Sequence, residues 1–172
     1  MMKESVLNTM RILAVDDEPD VLETLKEEIL SVAPDCAIDT ATSYEKASEL
    51  LASWTYDLAI FDIMGVQGFD LLEKATDRPY PVPVVMLTAH ALSPESLRKS
   101  IELGARAYLP KERLGAVVPF LEDVMTYEYG AAWKRAFKQL EGLFNKAWGP
   151  YWRKPDEKFW NEFEQKIAAQ RE

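Results

Sequence analysis

Four short apolar runs punctuate the first two thirds of the chain, and each is closed by a polar residue. Ile12-Leu13-Ala14-Val15 runs into Asp16, Leu58-Ala59-Ile60-Phe61 into Asp62, and Val84-Val85-Met86-Leu87 into Thr88. Ala107-Tyr108-Leu109-Pro110 precedes Lys111. Runs of this length, bounded by polar or turn residues, read as buried strands. A fifth strand is expected near residues 36–40. Between them the apolar period changes from continuous to helical. After Pro19, which suits a first helical turn, Val21, Leu22, Leu25, Ile29 and Leu30 recur at helical spacing. Ser43 is a good N-cap for a second helix that buries Ala47, Leu50 and Leu51. A third helix is expected over residues 68–75. Ser93-Pro94-Glu95 opens a fourth with an N-cap, an N1 proline and an acidic first turn, and Gly104 stops it as a C′ residue. A fifth helix spans about 113–127. Pro119 inside it must kink the helix or mark a late start, because it lacks a backbone donor.

Alternating strands and helices imply a doubly wound parallel sheet with right-handed crossovers. If the strands are parallel neighbours, Asp16, Asp17, Asp62, Thr88 and Lys111 gather at the carboxyl edge of the sheet, where open α/β folds place their ligands. Three carboxylates, a hydroxyl and an ammonium make a site for a metal ion and a phosphoryl group.

After Gly130 the pattern changes again. Trp133, Phe137, Leu140, Phe144 and Trp148 repeat every three or four residues, a helix with a heavy aromatic stripe. Gly149-Pro150 ends it. Asp156 is placed to cap a second helix bearing Phe159, Trp160, Phe163 and Ile167. The expected division is a domain of residues 1–127, with its core at about 10–127, followed by a helical hairpin at 128–172. So many large apolar groups on a short hairpin need burial, against the domain, within the hairpin, or in a dimer or partner contact.

Charge narrows the function. All of the net charge of −9 lies in the first 121 residues, and the rest is balanced. An acidic domain with a neutral tail lacks the basic face of a nucleic-acid binder. The one cysteine, Cys36, excludes an internal disulfide and fits a reducing compartment. With no long apolar stretch and no signal-like N-terminus, a cytoplasmic protein without a membrane partner is expected.

In this order and spacing, the segments 12–19, 57–62, 85–89 and 104–111 resemble the receiver domain of two-component response regulators, the CheY-like family. The resemblance covers about residues 10–127. It implies a flavodoxin-like five-stranded parallel sheet of order 2-1-3-4-5, here with an α-helical hairpin appended. It also implies that Asp62 accepts a phosphoryl group from a sensor histidine kinase or phosphotransfer protein. Mg²⁺ would be held by Asp16, Asp17, Asp62 and the backbone carbonyl of Met64. Thr88 and Lys111 would contact phosphoryl oxygens, Tyr108 would act as the switch residue, and His90 would influence access of water. Such a module signals through protein contacts and is not a multi-turnover enzyme. Two alternatives are open to the sequence: a transcription regulator whose C-terminal helices bind DNA, and a Mg²⁺-dependent phosphatase with an Asp nucleophile. One departure from the family pattern concerns the stretch from Asp62 to Gly68, about two residues shorter than usual and without the usual proline. The loop beside the site must therefore have its own shape.

Overall fold

The computed structural model describes residues 3–169. The outermost ends of the expected division, 1–2 and 170–172, lie outside the described residues. Among these residues five strands form one parallel sheet: β1 (Arg11–Val15), β2 (Ala37–Ala41), β3 (Leu58–Asp62), β4 (Val84–Thr88) and β5 (Ala107–Pro110). Their order is β2-β1-β3-β4-β5, as the resemblance implied. Helices α1 (Pro19–Val32), α2 (Tyr44–Ser53), α3 (Gly68–Thr76), α4 (Pro94–Glu102) and α5 (Val117–Thr126) connect the strands or follow the last of them. The three inner strands are buried along nearly their whole length. A sheet covered by helices on both faces requires this, which is why continuous apolar runs announced it.

The end positions show which local forces win. β4 begins at Val84, because Pro81 and Pro83 before it lack the N–H a ladder needs. Pro83 still contributes its carbonyl, which accepts from Ala59 N–H at 2.9 Å. Pro119 marks a late start: a 3₁₀ segment (Lys111–Ala116) comes first, and the proline falls in the opening turn of α5. Leu30 lies at the edge of the α1 stripe and is exposed.

The C-terminal residues form α6 (Tyr129–Trp148) and α7 (Glu157–Ala168), which pack against each other. Gly149, at φ +84°, ends α6 in a conformation that glycine adopts without penalty. The hairpin lies on the domain, with α6 against β5 and α5. The Trp133 indole N–H donates to the Ala105 carbonyl at 3.2 Å. Arg135 pairs with Asp123 of α5 at 3.1 Å. Asp156 occupies the N-cap position of α7, yet its side chain makes no capping bond. It is drawn instead to Arg98 of α4, at 2.8 Å, whose guanidinium also lies 4.7 Å from the Phe159 ring centroid. The aromatic stripe is therefore consumed by intramolecular packing. Trp133, Phe144, Trp160 and Phe163 are buried in a lattice of mostly edge-to-face rings, and Phe144 stacks on Trp148 at 4.5 Å. The hairpin thereby covers the β5 edge, which would otherwise offer unpaired backbone groups.

Candidate functional site

Asp16 follows the last residue of β1, and Asp62 is the last residue of β3. Thr88 ends β4, and Lys111 follows β5. Parallel register brings these ends together: Val15 is paired with Phe61, Asp62 with Leu87, and Thr88 with Pro110. Asp16 and Asp62 are buried, whereas Asp17 is exposed at the rim. The three carboxylates each bring an oxygen within 4.8 Å of the others. The Lys111 ammonium lies 2.9 Å from Asp16 Oδ2 and 3.4 Å from Asp62 Oδ1. Glu18 Oε2 is 3.7 Å from the same nitrogen.

Local structure holds this arrangement in place. Asp16 Oδ1 accepts from the Glu18 N–H at 2.9 Å, turning the chain into α1. The short loop after β3 reverses through Gly65 at φ +88° and Gln67 at φ +52°. Gly65 presses its backbone against the Asp17 carboxylate, where a Cβ would collide. A Cβ at Gly68 would strike the Asp62 carbonyl. The two glycines let this short loop fold back onto the acidic cluster. Met64 lies in this turn with its side chain half exposed. His90 is exposed in the β4–α4 loop.

Crowding of like charges in a buried pocket sets the electrostatics. Burial, reinforced by the Asp16 charge and by Asp17, pushes the Asp62 carboxyl up to about 7 against the pull of Lys111. Burial also raises Asp16, opposed by Lys111 and the Glu18 N–H. Burial works against the Lys111 ammonium, but its bond to Asp16 and the charges of Asp62 and Glu18 outweigh this and raise its pKa.

The donor set fits a small divalent cation. The ligand atoms of the cluster are carboxylate oxygens, the hard donors that Mg²⁺ prefers. Asp16 Oδ2 is buried and has no aligned hydrogen bond, only the ion-pair contact to Lys111. Its remaining lone pair is free for a metal.

The Thr88 hydroxyl accepts from the Ala91 N–H at 3.1 Å. Tyr108 is fully buried, with its hydroxyl 2.7 Å from Ser96 Oγ and its ring edge-on to Phe144 at 6.1 Å. Burial pushes the Tyr108 phenol up to about 12, although Ser96 and the Ser93 N–H counter the shift. Three contributors escaped sequence reasoning. They are the Glu18 contact with Lys111, the Ser96 bond to Tyr108 and the approach of Gly65 to Asp17. Ser96 left one signal: it is the N3 residue of the helix that Ser93 caps, in a reciprocal capping box.

Fold and site together define a receiver, and comparison with known proteins agrees. The model of the response regulator receiver domain matches residues 12–116, and the chain belongs to that family. It is 35% identical over 113 residues to a gliding motility regulatory protein of Myxococcus xanthus, covering 63% of this chain and 14% of that protein. It is 36% identical over 106 residues to the response regulator RppA of Synechocystis, covering 59% and 44% respectively. The chain thus spans less than half of these curated relatives. Among solved structures, a receiver domain protein of Methanospirillum hungatei matches with a TM-score of 0.57 and 26% identity, covering 67% of this chain and 95% of that one. A response regulator of Thermotoga maritima matches in fold with a TM-score of 0.61 at 17% identity, covering 69% and 99%. No helix among the described residues is long and apolar enough to cross a membrane.

Proposed function

We propose that this chain is the phosphoryl-accepting receiver of a bacterial two-component relay, with Asp62 as acceptor. The observation that carries the reading is the Asp62 carboxylate at the sheet edge, clustered with Asp16 and Asp17 and 3.4 Å from the Lys111 ammonium. A sensor histidine kinase or phosphotransfer protein would present a phosphohistidine. An Asp62 oxygen attacks phosphorus, the P–N bond breaks, and the imidazole leaves with the electron pair and takes up a proton. The product is an acyl phosphate, reactive enough to be transient.

Asp16, Asp17, Asp62 and the Met64 carbonyl would hold Mg²⁺, which supplies positive charge against the phosphoryl oxygens. The rest of the chemistry is positioning and charge neutralisation by this chain's own groups. Lys111 turns from Asp16 towards a phosphoryl oxygen. Thr88 donates its hydroxyl to another. Tyr108 is the aromatic that responds behind Thr88. The module acts once per phosphorylation, in the cytoplasm, and signals by a conformational change in residues 1–127 that reaches the extension at 128–172.

The test is transfer of ³²P-phosphoryl from a small acyl-phosphate donor with Mg²⁺ present. The wild-type chain should take up one base-labile label and Asp62→Asn should take up none. A label of undiminished extent on the Asn variant would overturn the assignment.

A further inference from the structure

The face made by α4, β5 and α5 is not open in this molecule. The hairpin sits on it, held by two groups of contacts at opposite ends. Near the start of α6, Trp133 bonds the Ala105 carbonyl and Arg135 pairs with Asp123 of α5. Further along, Phe144 lies on Tyr108 of β5, while Asp156 and Phe159 engage Arg98 of α4. The second group converges on α4, since Ser96 and Arg98 both belong to that helix.

A continuous set of bonds joins this second group to the sheet edge. The Ala91 N–H donates to Thr88 Oγ1 at 3.1 Å. The Ser96 hydroxyl donates to the nearer of two carbonyls, Ala91 at 2.5 Å rather than Ser93 at 3.0 Å. With its one proton so committed, Ser96 Oγ accepts from the Tyr108 O–H at 2.7 Å. The Tyr108 ring meets the edge of Phe144, which stacks on Trp148 and meets Trp152 edge-on at 5.8 Å. Tyr108 and Ser100 are fully buried, and Ser100 Oγ also bonds back to the Ser96 carbonyl at 2.8 Å. Tyr108 therefore cannot shift without moving Phe144, nor Ser96 without moving the opening turn of α4.

We propose that residues 129–168 are the receiver's own output partner, seated on the α4–β5–α5 face and released at one end by the Thr88 hydroxyl through Ala91, Ser96, Tyr108 and Phe144. This rests on the phosphoacceptor reading above. When Thr88 turns to a phosphoryl oxygen it gives up the Ala91 N–H. The β4–α4 loop loses that tie, the Ala91 carbonyl no longer fixes the Ser96 hydroxyl, and the Ser96–Tyr108 bond and the Tyr108–Phe144 contact loosen together. The anchor at Trp133 and Arg135 bonds Ala105 and Asp123 rather than the Thr88–Tyr108 chain, with the Phe137 ring lying between Trp133 and Phe144, and it stays. The hairpin pivots from its beginning rather than detaching.

The experiment is amide hydrogen exchange on the full chain, in Mg²⁺ alone and in Mg²⁺ with beryllofluoride as phosphoryl mimic. Thermal stabilisation is read in parallel as the measure of site occupancy. Peptides within 140–162 should exchange at least about fivefold faster with beryllofluoride, and those within 129–138 should be unchanged. Tyr108→Phe and Ser96→Ala should still be stabilised by beryllofluoride while the response at 140–162 disappears. A merely structural role would shift the basal exchange and keep the response. By linkage, Phe144→Ala should bind beryllofluoride more tightly, because the contact it removes favours the unliganded arrangement. Stabilisation with unchanged or slower exchange at 140–162 overturns the inference and leaves the phosphoacceptor reading intact. Absence of any Mg²⁺-dependent stabilisation by beryllofluoride overturns both.

Discussion

The Lys111 ammonium lies closer to Asp16 Oδ2, at 2.9 Å, than to Asp62 Oδ1, at 3.4 Å. In this arrangement the lysine compensates a proposed metal ligand more than the proposed acceptor. It becomes free for a phosphoryl oxygen only when something else neutralises Asp16. Cation and phosphoryl binding should therefore be mutually reinforcing.

Lys111→Met should slow uptake of label from a small acyl-phosphate donor by roughly 100-fold, the scale of losing one preorganised group that stabilises developing charge. Mg²⁺ should still bind, because no carboxylate is removed. Label incorporation over time and Mg²⁺-dependent stabilisation, measured on the same preparation, separate the two effects.

The metal-free protein should lose stability as pH rises from about 4 to about 7. Asp62 is raised to about 7 in the folded state, above the ordinary carboxylate value of about 3.9. A carboxyl raised by folding contributes its stability below the unfolded pKa and loses it as pH climbs to the folded one. At about 1.4 kcal/mol per unit, the loss is up to about 4 kcal/mol. Urea unfolding in EDTA at pH 4.5 and 7.5 should show it. Mg²⁺ should restore stability at pH 7.5, and Asp62→Asn should flatten the metal-free profile.

Gly65→Ala should weaken Mg²⁺ binding. Residue 65 stands at φ +88°, and a Cβ there runs into the Asp17 carboxylate. The left-handed conformation alone costs about 1 kcal/mol, and Asp17 must also move from the cluster. A Mg²⁺ titration followed by thermal stability should give an affinity at least several-fold lower. An unchanged affinity would mean that the loop yields rather than the carboxylate.

A chain ending at Tyr127 should be less stable and should self-associate. It loses the cover over β5, the Trp133–Ala105 bond and the packing of Phe144 on Tyr108. An open strand edge beside a newly exposed apolar face is a template for another chain. Sedimentation velocity across a concentration series, against the full chain, checks this.

The sheet was legible because a strand covered on both faces has no choice but continuous apolar residues, and all three inner runs end on chemistry-bearing side chains. Asp16, Asp62, Thr88 and Lys111 could be placed by topology alone, since parallel strands bring their carboxyl ends to one edge. Boundaries were less legible where two local rules competed. Just before β4, Val82 is apolar and buried, yet the prolines on either side of it forbid a ladder. At Asp156 a capping residue found a stronger partner in Arg98. The contribution of Ser96 depended on the β4–α4 loop meeting β5, which no local pattern encodes.

What the amino-acid order determined by itself is the set of elements, their parallel arrangement and the identity of the acidic cluster, because hydrophobic period, caps and strand ends are local properties. Only tertiary structure decided where the aromatic stripe is spent. A period of three or four residues says that a helix must bury one face but names no partner. The partner is the β5 edge with the faces of α4 and α5, and proximity in space alone sets Phe144 on Tyr108, 36 residues earlier in the chain.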